Sequence, residues 1–468
     1  MSHKNQKGSS RKDFLRKVGY GVAGAASFPF VVTAKRTSGD SPVEHLSNRQ
    51  WGSSKEMVRF GLIGAGWQGQ GDLSVALRHA GTQVTAACDL YQSRLNKCRE
   101  TWGSDLFVTR KYEEVLERDD VDAVIIATSD HWHERIAVAA LEAGKAVYLE
   151  KPMVQHVDEG DNILRAAERT GVPFQVGSQR TSSILFEKVR DLIQDGAIGT
   201  LNFVEGYWDR FSAIGAWQYS IPPSAGPDDI DWTRYREGLP KKPFDATEFF
   251  RWRNYNDYGT GVAGDLFVHL FSGLHMILGS KGPNTIMATG GLRFWHDGRD
   301  AEDVVLGLYE YPEAPSHPAF SMALRVNFAD GSGGGSKTRL VGDEGEITIN
   351  WNDVTLRKTE LSDRPGISTG SMGEAVREEY DAWYAEAYPE SRAQIINPRE
   401  FVYRAPDGYN DVYDHFGYLL KAIREGSPIV QDAHFGLRAA APALLTSDAL
   451  REKKIISWDP ETMSIIPS

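Results

Sequence analysis

Val58-Arg59-Phe60-Gly61-Leu62-Ile63 runs directly into Gly64-Ala65-Gly66-Trp67-Gln68-Gly69, and after a helical stretch from Leu73 to Arg78 comes Gln83-Val84-Thr85-Ala86-Ala87-Cys88, ending at Asp89. The first run is short and apolar and reads as a buried strand; the run before Asp89 reads as a second. Strand, G-x-G-x-x-G, helix, strand and terminal acid in this order predict a dinucleotide-binding unit. Each glycine has a job in it. Gly64 permits the tight turn, Gly66 lets backbone approach a pyrophosphate, and Gly69 packs the helix on the strand. The helix N-terminus, at Trp67 and Gln68, then faces the phosphates. Asp89 lies about twenty residues on, where a carboxylate bonds the ribose hydroxyls and repels a 2′-phosphate, so NAD is expected over NADP.

The alternation continues outward. Val121–Ala127 is an apolar strand followed by the polar turn Thr128-Ser129-Asp130-His131-Trp132-His133; Ile136–Ala143 is helical and stops at Gly144. Ala146–Leu149 is a strand ending in Glu150-Lys151-Pro152, a helix spans about Gly160–Arg169, and Pro173–Gly177 is one more strand. Alternating strands and helices predict a parallel, doubly wound sheet, with ligands at the carboxyl ends of its strands. Thr128, Ser129, Glu150, Lys151 and Gln179 fall just past such ends and are expected to line one crevice. His131 and His133 have a metal-like spacing, but no acid or Cys cluster accompanies them, so His133 is assigned to backbone or cofactor and no metal site is expected.

From residue 201 the periodicity changes. Leu201–Phe211, Thr285–Trp295, Asp303–Tyr311, Phe320–Ala329, Lys337–Val341 and Glu346–Asn350 are strand-like, with Gly342-Asp343-Glu344-Gly345 as a hairpin turn. Pro365–Gly373 reads as a loop, and Tyr413–Glu425 and His434–Lys453 as closing helices. A sheet this large needs covering, which points to a homodimer or homotetramer.

At 468 residues the chain is too long for one ordinary core. Its formal charge of -12 argues against nucleic acid and anionic membranes as partners. Two cysteines, Cys88 and Cys98, make no disulfide framework. The N-terminus carries Lys4, Lys7, Arg11, Lys12, Arg16 and Lys17, then the weakly apolar Val18–Val32, then Val32-Thr33-Ala34; basic, apolar, small is signal-peptide order. Ser10–Lys17 resembles a twin-arginine motif with Lys12 in place of the second Arg, so export, with a periplasmic destination, is expected. The division is therefore a signal peptide over 1–34, a Gly/Ser/Pro-containing linker over 35–56, a Rossmann domain over 57–180 and a substrate-binding and oligomerisation domain over 181–468.

Glu150-Lys151-Pro152, together with Gly64–Gly69, Asp89, Thr128–His133, Gly144-Lys145, Gly177-Ser178-Gln179-Arg180 and Gly264-Asp265-Leu266-Phe267-Val268-His269, resembles the Gfo/Idh/MocA oxidoreductases over about residues 57–458. The resemblance implies an α/β protein: an N-terminal Rossmann domain, then a C-terminal α+β domain with a large, mostly antiparallel open sheet that pairs subunits. It also implies a cis bond at Pro152 and a catalytic set of Lys151, Asp265 and His269.

Hydride transfer from a sugar carbon needs a base for the hydroxyl proton and a cation for its oxygen. Lys151 suits the cation. Asp265 and His269, four apart on one helix face, suit an acid that orients the imidazole and a histidine that takes the proton. Trp208, Arg210 and Arg253, with Lys151, Asp265 and His269, are the expected carbohydrate contacts; Trp217, Trp232, Trp252 and Tyr255 fit either a sugar platform or an aromatic core. His275 reads as structural. Three functions stay open: an NAD-dependent oxidoreductase on a sugar, glycoside or polyol hydroxyl; a glycosidase or lyase using transient C3 oxidation; and a non-catalytic NAD-dependent sensor, against which the intact Lys151, Asp265 and His269 argue.

Overall fold

The computed structural model describes residues 42–52, 56–359, 368–388 and 399–467, so the expected signal peptide lies outside the described residues. The described chain opens with the short strand β1 (Val43–His45) and then enters β2 (Val58–Ile63). There follow α1 (Trp67–Ala76), β3 (Thr82–Cys88), α2 (Gln92–Trp102), β4 (Phe107–Thr109), β5 (Ala123–Ile126), α3 (His133–Glu142), β6 (Ala146–Glu150), α4 (Gly160–Thr170) and β7 (Phe174–Gly177). Strands β2 to β7 pair in parallel in the order β4-β3-β2-β5-β6-β7, the doubly wound arrangement the alternation predicts. Strands β5, β6 and β7 are buried throughout, as a sheet covered on both faces requires. Helix α1 begins at Trp67, directly at the glycine turn and six residues before the expected helical stretch, so its first amides lie at the strand end.

After α5 (Ile184–Gln194) the chain builds a second sheet from β8 (Leu201–Asp209), β9 (Thr285–Gly291), β10 (Val304–Tyr311), β11 (Phe320–Asn327), β12 (Gly335–Gly342), β13 (Gly345–Ile349), β14 (Asp353–Lys358) and β15 (Arg399–Arg404). The order is β1-β15-β14-β13-β12-β8-β11-β10-β9, extended by β16 (Ile456–Asp459) and β17 (Ser464–Ile465). Pairing is antiparallel except β8 with β11 and β1 with β15. One face packs on α5, on α6 (Val268–Leu278) and on a long C-terminal helix, Ala433–Glu452. The other face is open: along β10, Val305, Gly307 and Tyr309 are buried while Leu306, Leu308 and Glu310 are exposed. The Asp343-Glu344 turn joins β12 to β13 through the pair Gly342 and Gly345, as the turn residues predict.

Three expectations are corrected. Strand β9 stops at Gly291 and not at Trp295, because the Asp303 carboxylate accepts the amides of Arg293, Phe294 and Trp295 and turns the chain away. Residues 43–52, expected as linker, are docked. β1 adds to the sheet edge, Arg49 donates to Asp414 at 2.9 Å, and the Trp51 indole donates to the same carboxylate at 2.8 Å while lying on Gly417. Finally, α7 (Glu374–Ala387) has no counterpart among the expected elements. It precedes the last two long helices, α8 (Asp411–Glu425) and α9 (Ala433–Glu452), both expected.

Candidate active site

The carboxyl ends of β2, β3, β5 and β6 open onto one cleft of about 680 Å³, closed from the other side by β8, α6 and the segment from residue 217 to 253. Gly64 has φ +91°, and a Cβ there would lie 2.5 Å from the Ala127 carbonyl, so only glycine makes this turn. A Cβ on Gly69 would lie 2.1 Å from the Gly64 carbonyl, which is the helix-on-strand packing expected of it; Gly69 itself does not line the cleft. A Cβ on Gly66 would meet only the Arg94 guanidinium, at 3.9 Å, and no side chain caps α1. The amides of the first turn of α1 are thus left for a ligand, and a phosphate suits them. Trp67, 82% exposed, and Gln68 line the cleft at this point. Asp89 directly follows β3, accepts the Tyr91 amide at 2.9 Å and lies 3.4 Å from Arg94. With Thr128 and Ser129 beside them, these residues fit a dinucleotide from ribose to pyrophosphate.

At the inner end of the cleft stands Lys151, behind a cis Lys151–Pro152 bond. Its ammonium donates to Asp265 Oδ1 at 2.9 Å and to the Asp265 carbonyl at 3.0 Å. An ammonium has three hydrogens, so one is left for a substrate oxygen. Arg253 Nε also donates to Asp265 Oδ1, at 3.2 Å. Burial alone would raise the Asp265 carboxyl, but Lys151 and Arg253 more than offset it and hold the group well below the usual carboxylate range. It is a fixed anion that locks two cations.

The expected bond from Asp265 to His269 is absent. Residues Ala263–Phe267 form a π turn before α6, which widens the helix and takes Asp265 out of the i, i+4 alignment with His269. Asp265 meets Lys151 and Arg253 instead. His269 lines the cleft with its ring tilted against Trp208 at 5.0 Å between centroids, and its buried Nδ1 has no hydrogen-bond partner among the described residues. Burial, then the Lys151 ammonium, hold its pKa well below the ordinary value, so the imidazole is neutral. A neutral imidazole beside an unshared ammonium hydrogen can accept a proton from a hydroxyl that the ammonium binds.

His133 is not a cleft residue. It is buried, and its Nδ1 bonds the Pro152 carbonyl at 2.8 Å, tying the start of α3 to the Lys151–Pro152 segment. Burial lowers it to about 4. Glu150 and Gln179 do line the cleft; Gln179 donates to Glu150 Oε1 at 3.0 Å. Glu150 is buried against Asp72 of α1, and both carboxyls are pushed up, Asp72 first by burial and then by Glu150. Trp208, Arg210, Trp217, Trp252 and Arg253 line the cleft, whereas Trp232 and Tyr255 belong to an aromatic core with Tyr91, Phe249 and Tyr258. Asp411 lines the cleft and binds Arg180 at 2.8 Å, but Tyr409 turns inward, donating to Asp414. His275 is buried against the Tyr311 hydroxyl at 3.0 Å.

The structure adds residues that sequence reasoning did not single out. Asp130, within the quoted turn, is buried at the cleft wall, and burial, then Asp265, raise it to about 7; the Thr260 hydroxyl donates to it at 3.0 Å. Arg94 and Trp351 had no signal at all. Trp351 sits in the β13–β14 turn, 82 residues beyond His269, and reaches the cleft only through the sheet register.

Comparison with known proteins agrees with this architecture. Residues 58–178 match the family model described as oxidoreductase family, NAD-binding Rossmann fold, and residues 231–457 match the C-terminal alpha/beta domain of the same oxidoreductase family. An α-N-acetylgalactosaminidase of Shewanella oneidensis is 30% identical over 179 residues, a stretch spanning 34% of this chain and 37% of that protein. A putative myo-inositol dehydrogenase of Sinorhizobium meliloti superposes at a TM-score of 0.56 with 19% identity, over 86% of this chain and 99% of that one. A levoglucosan dehydrogenase in complex with NADH does so at 0.60 with 18% identity, over 86% and 98%. At such identities the superpositions speak for the fold, while the two family matches cover most of the sequence. The chain belongs to the Gfo/Idh/MocA oxidoreductase family, and its residues 58–178 form an NAD-binding Rossmann domain.

Proposed function

We propose that this protein is an NAD-dependent oxidoreductase acting on a hydroxyl of a sugar, glycoside or polyol. The observation that carries the reading is Lys151: an ammonium fixed by Asp265, with one hydrogen unshared, next to the neutral His269 at the end of a dinucleotide cleft. In this reading Gly64–Gln68, Asp89, Thr128 and Ser129 would hold NAD, which would supply the hydride acceptor. Lys151 binds the reacting oxygen, His269 takes its proton, and Trp208 gives the ring a face. The sugar-dehydrogenase neighbours support this substrate class. Export and a homo-oligomeric state belong to the same proposal, on the N-terminal charge pattern and the open sheet face.

A second reading is favoured by one observation, the relationship to an α-N-acetylgalactosaminidase. Oxidation at C3 would acidify the C2 proton, elimination would release the aglycone and leave a C1=C2 enone, water would add at C1 as C2 is reprotonated, and the C3 ketone would be reduced again, so that no net NADH appears. A panel of methyl and p-nitrophenyl glycosides with added NAD separates the two. Net NADH without aglycone release supports the dehydrogenase; release with deuterium entering C2 from heavy water and no net NADH supports the glycosidase. Lys151→Met should lower kcat/KM by about a thousandfold under either, from loss of a charged contact to the reacting oxygen. If Lys151→Met keeps full turnover, or the wild type fails to bind NAD at millimolar concentration, the proposal is wrong.

A further inference from the structure

We propose that the sugar this site receives carries an anionic substituent, a carboxylate or a sulfate ester, and that the guanidinium of Arg210 binds it. The inference rests on the reading that the cleft holds a carbohydrate.

Four cations line the inner end of the cleft: Lys151, Arg180, Arg210 and Arg253. Three are matched. Lys151 and Arg253 share Asp265, and Arg180 binds Asp411. Arg210 has no carboxylate within ion-pair distance among the described residues. Its one hydrogen bond runs from Nη1 to the Gly215 carbonyl at 2.9 Å, and its guanidinium lies over the Phe328 ring at 5.3 Å. A guanidinium offers five N–H donors, so most of the fork remains unused. Neighbouring acids do not balance it. The carboxyls of Asp130 and Glu150 are both pushed up, chiefly by burial, and Asp265 is already spent on two cations.

Arg210 is half-buried at the cleft wall, and burial lowers its pKa from the ordinary value; a cation partly taken from water is relieved by an anion that the ligand supplies. The loop is built to hold Arg210 in place. A Cβ on Gly215 would lie 3.1 Å from Arg210 Cβ, and at the loop's end Trp217 is buried with φ +63°, a conformation bulky residues rarely adopt. The dinucleotide's phosphates do not serve as the missing anion, because their place is at Gly66–Gln68. Arg210 follows β8 beside Trp208 and acts electrostatically on His269 and Asp265, the groups around the reacting hydroxyl. In a chain of net charge -12 this local excess of positive charge selects a ligand and not a general electrostatic surface.

The test is a binding titration of the full-length protein, read by calorimetry, with matched pairs of methyl hexopyranosides, methyl hexuronides and methyl hexopyranoside 6-sulfates in the gluco, galacto and manno series. The expected result is binding of at least one anionic sugar about tenfold or more tighter than its neutral counterpart. The two anionic series identify whether carboxylate or sulfate is preferred. Arg210→Met should lower that preference about tenfold, and Arg210→Lys, which keeps the charge without the fork, should restore part of it. Thermal unfolding of both variants controls for folding. The inference is overturned if neutral sugars bind as tightly as both anionic series, if no sugar binds, or if Arg210→Met weakens neutral and anionic ligands equally. NADH formation followed in the same samples keeps the two claims apart: anionic binding without reduction of NAD would sink the oxidoreductase reading and leave the anion assignment standing.

Discussion

Asp130 sits in an environment far from what its type suggests. A carboxyl that ordinarily titrates at 3.8 is raised to about 7, first by burial and then by the fixed negative charge of Asp265. The unfolded chain releases this proton near 3.8 and the native protein near 7, so between those values the native state holds the extra proton, and stability falls as pH rises through the window. Asp130→Asn removes the dependence while an amide oxygen still accepts from Thr260. The variant should gain stability over the wild type as pH rises from 5 to 8, by about 3 kcal/mol, since roughly two pKa units of the window fall in that range and each is worth ~1.36 kcal/mol. Parallel thermal melts across that range check it; a constant difference would mean that Asp130 is already ionised at pH 5. The same residue marks the limit of sequence reading at this scale. Lys151, Asp265 and His269 were legible because each follows a strand end or glycine turn that brings it to the crevice. The partnership of Asp265 was not, because it depends on the π turn over Ala263–Phe267, and no spacing rule gives the one-residue widening that sends its carboxylate to Lys151 and Arg253.

Among the elements, strands of the parallel sheet declare themselves by apolar runs bounded by glycine and acid, and the hairpin at Asp343-Glu344 by its turn residues. Segments that dock through one or two side chains do not. The stretch 43–52 has linker composition, yet Arg49 and Trp51 both bind Asp414 of α8 and Trp51 packs edge-on against Tyr418 at 5.0 Å. Trp51→Ala should destabilise the protein by about 3 kcal/mol through the lost packing and the carboxylate left underused, as for other large-to-small changes at packed sites. Chemical denaturation measures it, and a change within 0.5 kcal/mol would mean the segment is a passenger. A second docked element covers the outer end of the cleft. Ile230 bridges Tyr91, the Gln92 amide donates to the Asp229 carbonyl at 3.0 Å, the Asp231 amide donates to the Leu90 carbonyl at 3.0 Å, and Arg234 binds Glu113. Tyr235, Phe249 and Phe250 line the cleft beneath this strap, alongside Asp89 and Arg94. If this strap also covers a bound dinucleotide, it slows the cofactor's exit. The expectation is that purified protein, denatured without prior addition of cofactor, releases close to one NAD(H) per chain, and that Arg234→Ala raises the NADH dissociation rate about tenfold. Fluorescence of released NADH reads both, and a protein that purifies empty and exchanges NADH within milliseconds would show the strap to be open in solution.

For the whole molecule, the question is what the second sheet does with its uncovered face. Helices α5, α6 and α9 take one side of it; the other presents Leu306 and Leu308 at 41% and 50% exposure. Leu308 stands opposite Met287 on one neighbour and Ala323 on the other, and Phe203 opposite Val341 one row away, so apolar side chains continue across five strands. Charged neighbours Glu205, Arg325 and Arg339 interleave with them and already form ion pairs within the sheet layer: Arg325 with Asp209, Arg339 with Glu205 and Glu346. Such pairs can be covered without leaving a charge unmatched, which an apolar-only surface would not need and a solvent-facing one would not require. A self-complementary contact between two copies would bury this face with the fewest new unpaired groups, and it would fit the symmetry of most homo-oligomers. Replacing both Leu306 and Leu308 by Glu places two carboxylates against their own symmetry mates. The double variant should elute as a monomer where the wild type elutes as a dimer or tetramer, with the cleft intact because neither residue reaches it. Size-exclusion chromatography with light scattering decides the point: a wild-type protein that is monomeric at ten micromolar, or a double variant that keeps the wild-type mass, would place the subunit contact elsewhere or show that none forms.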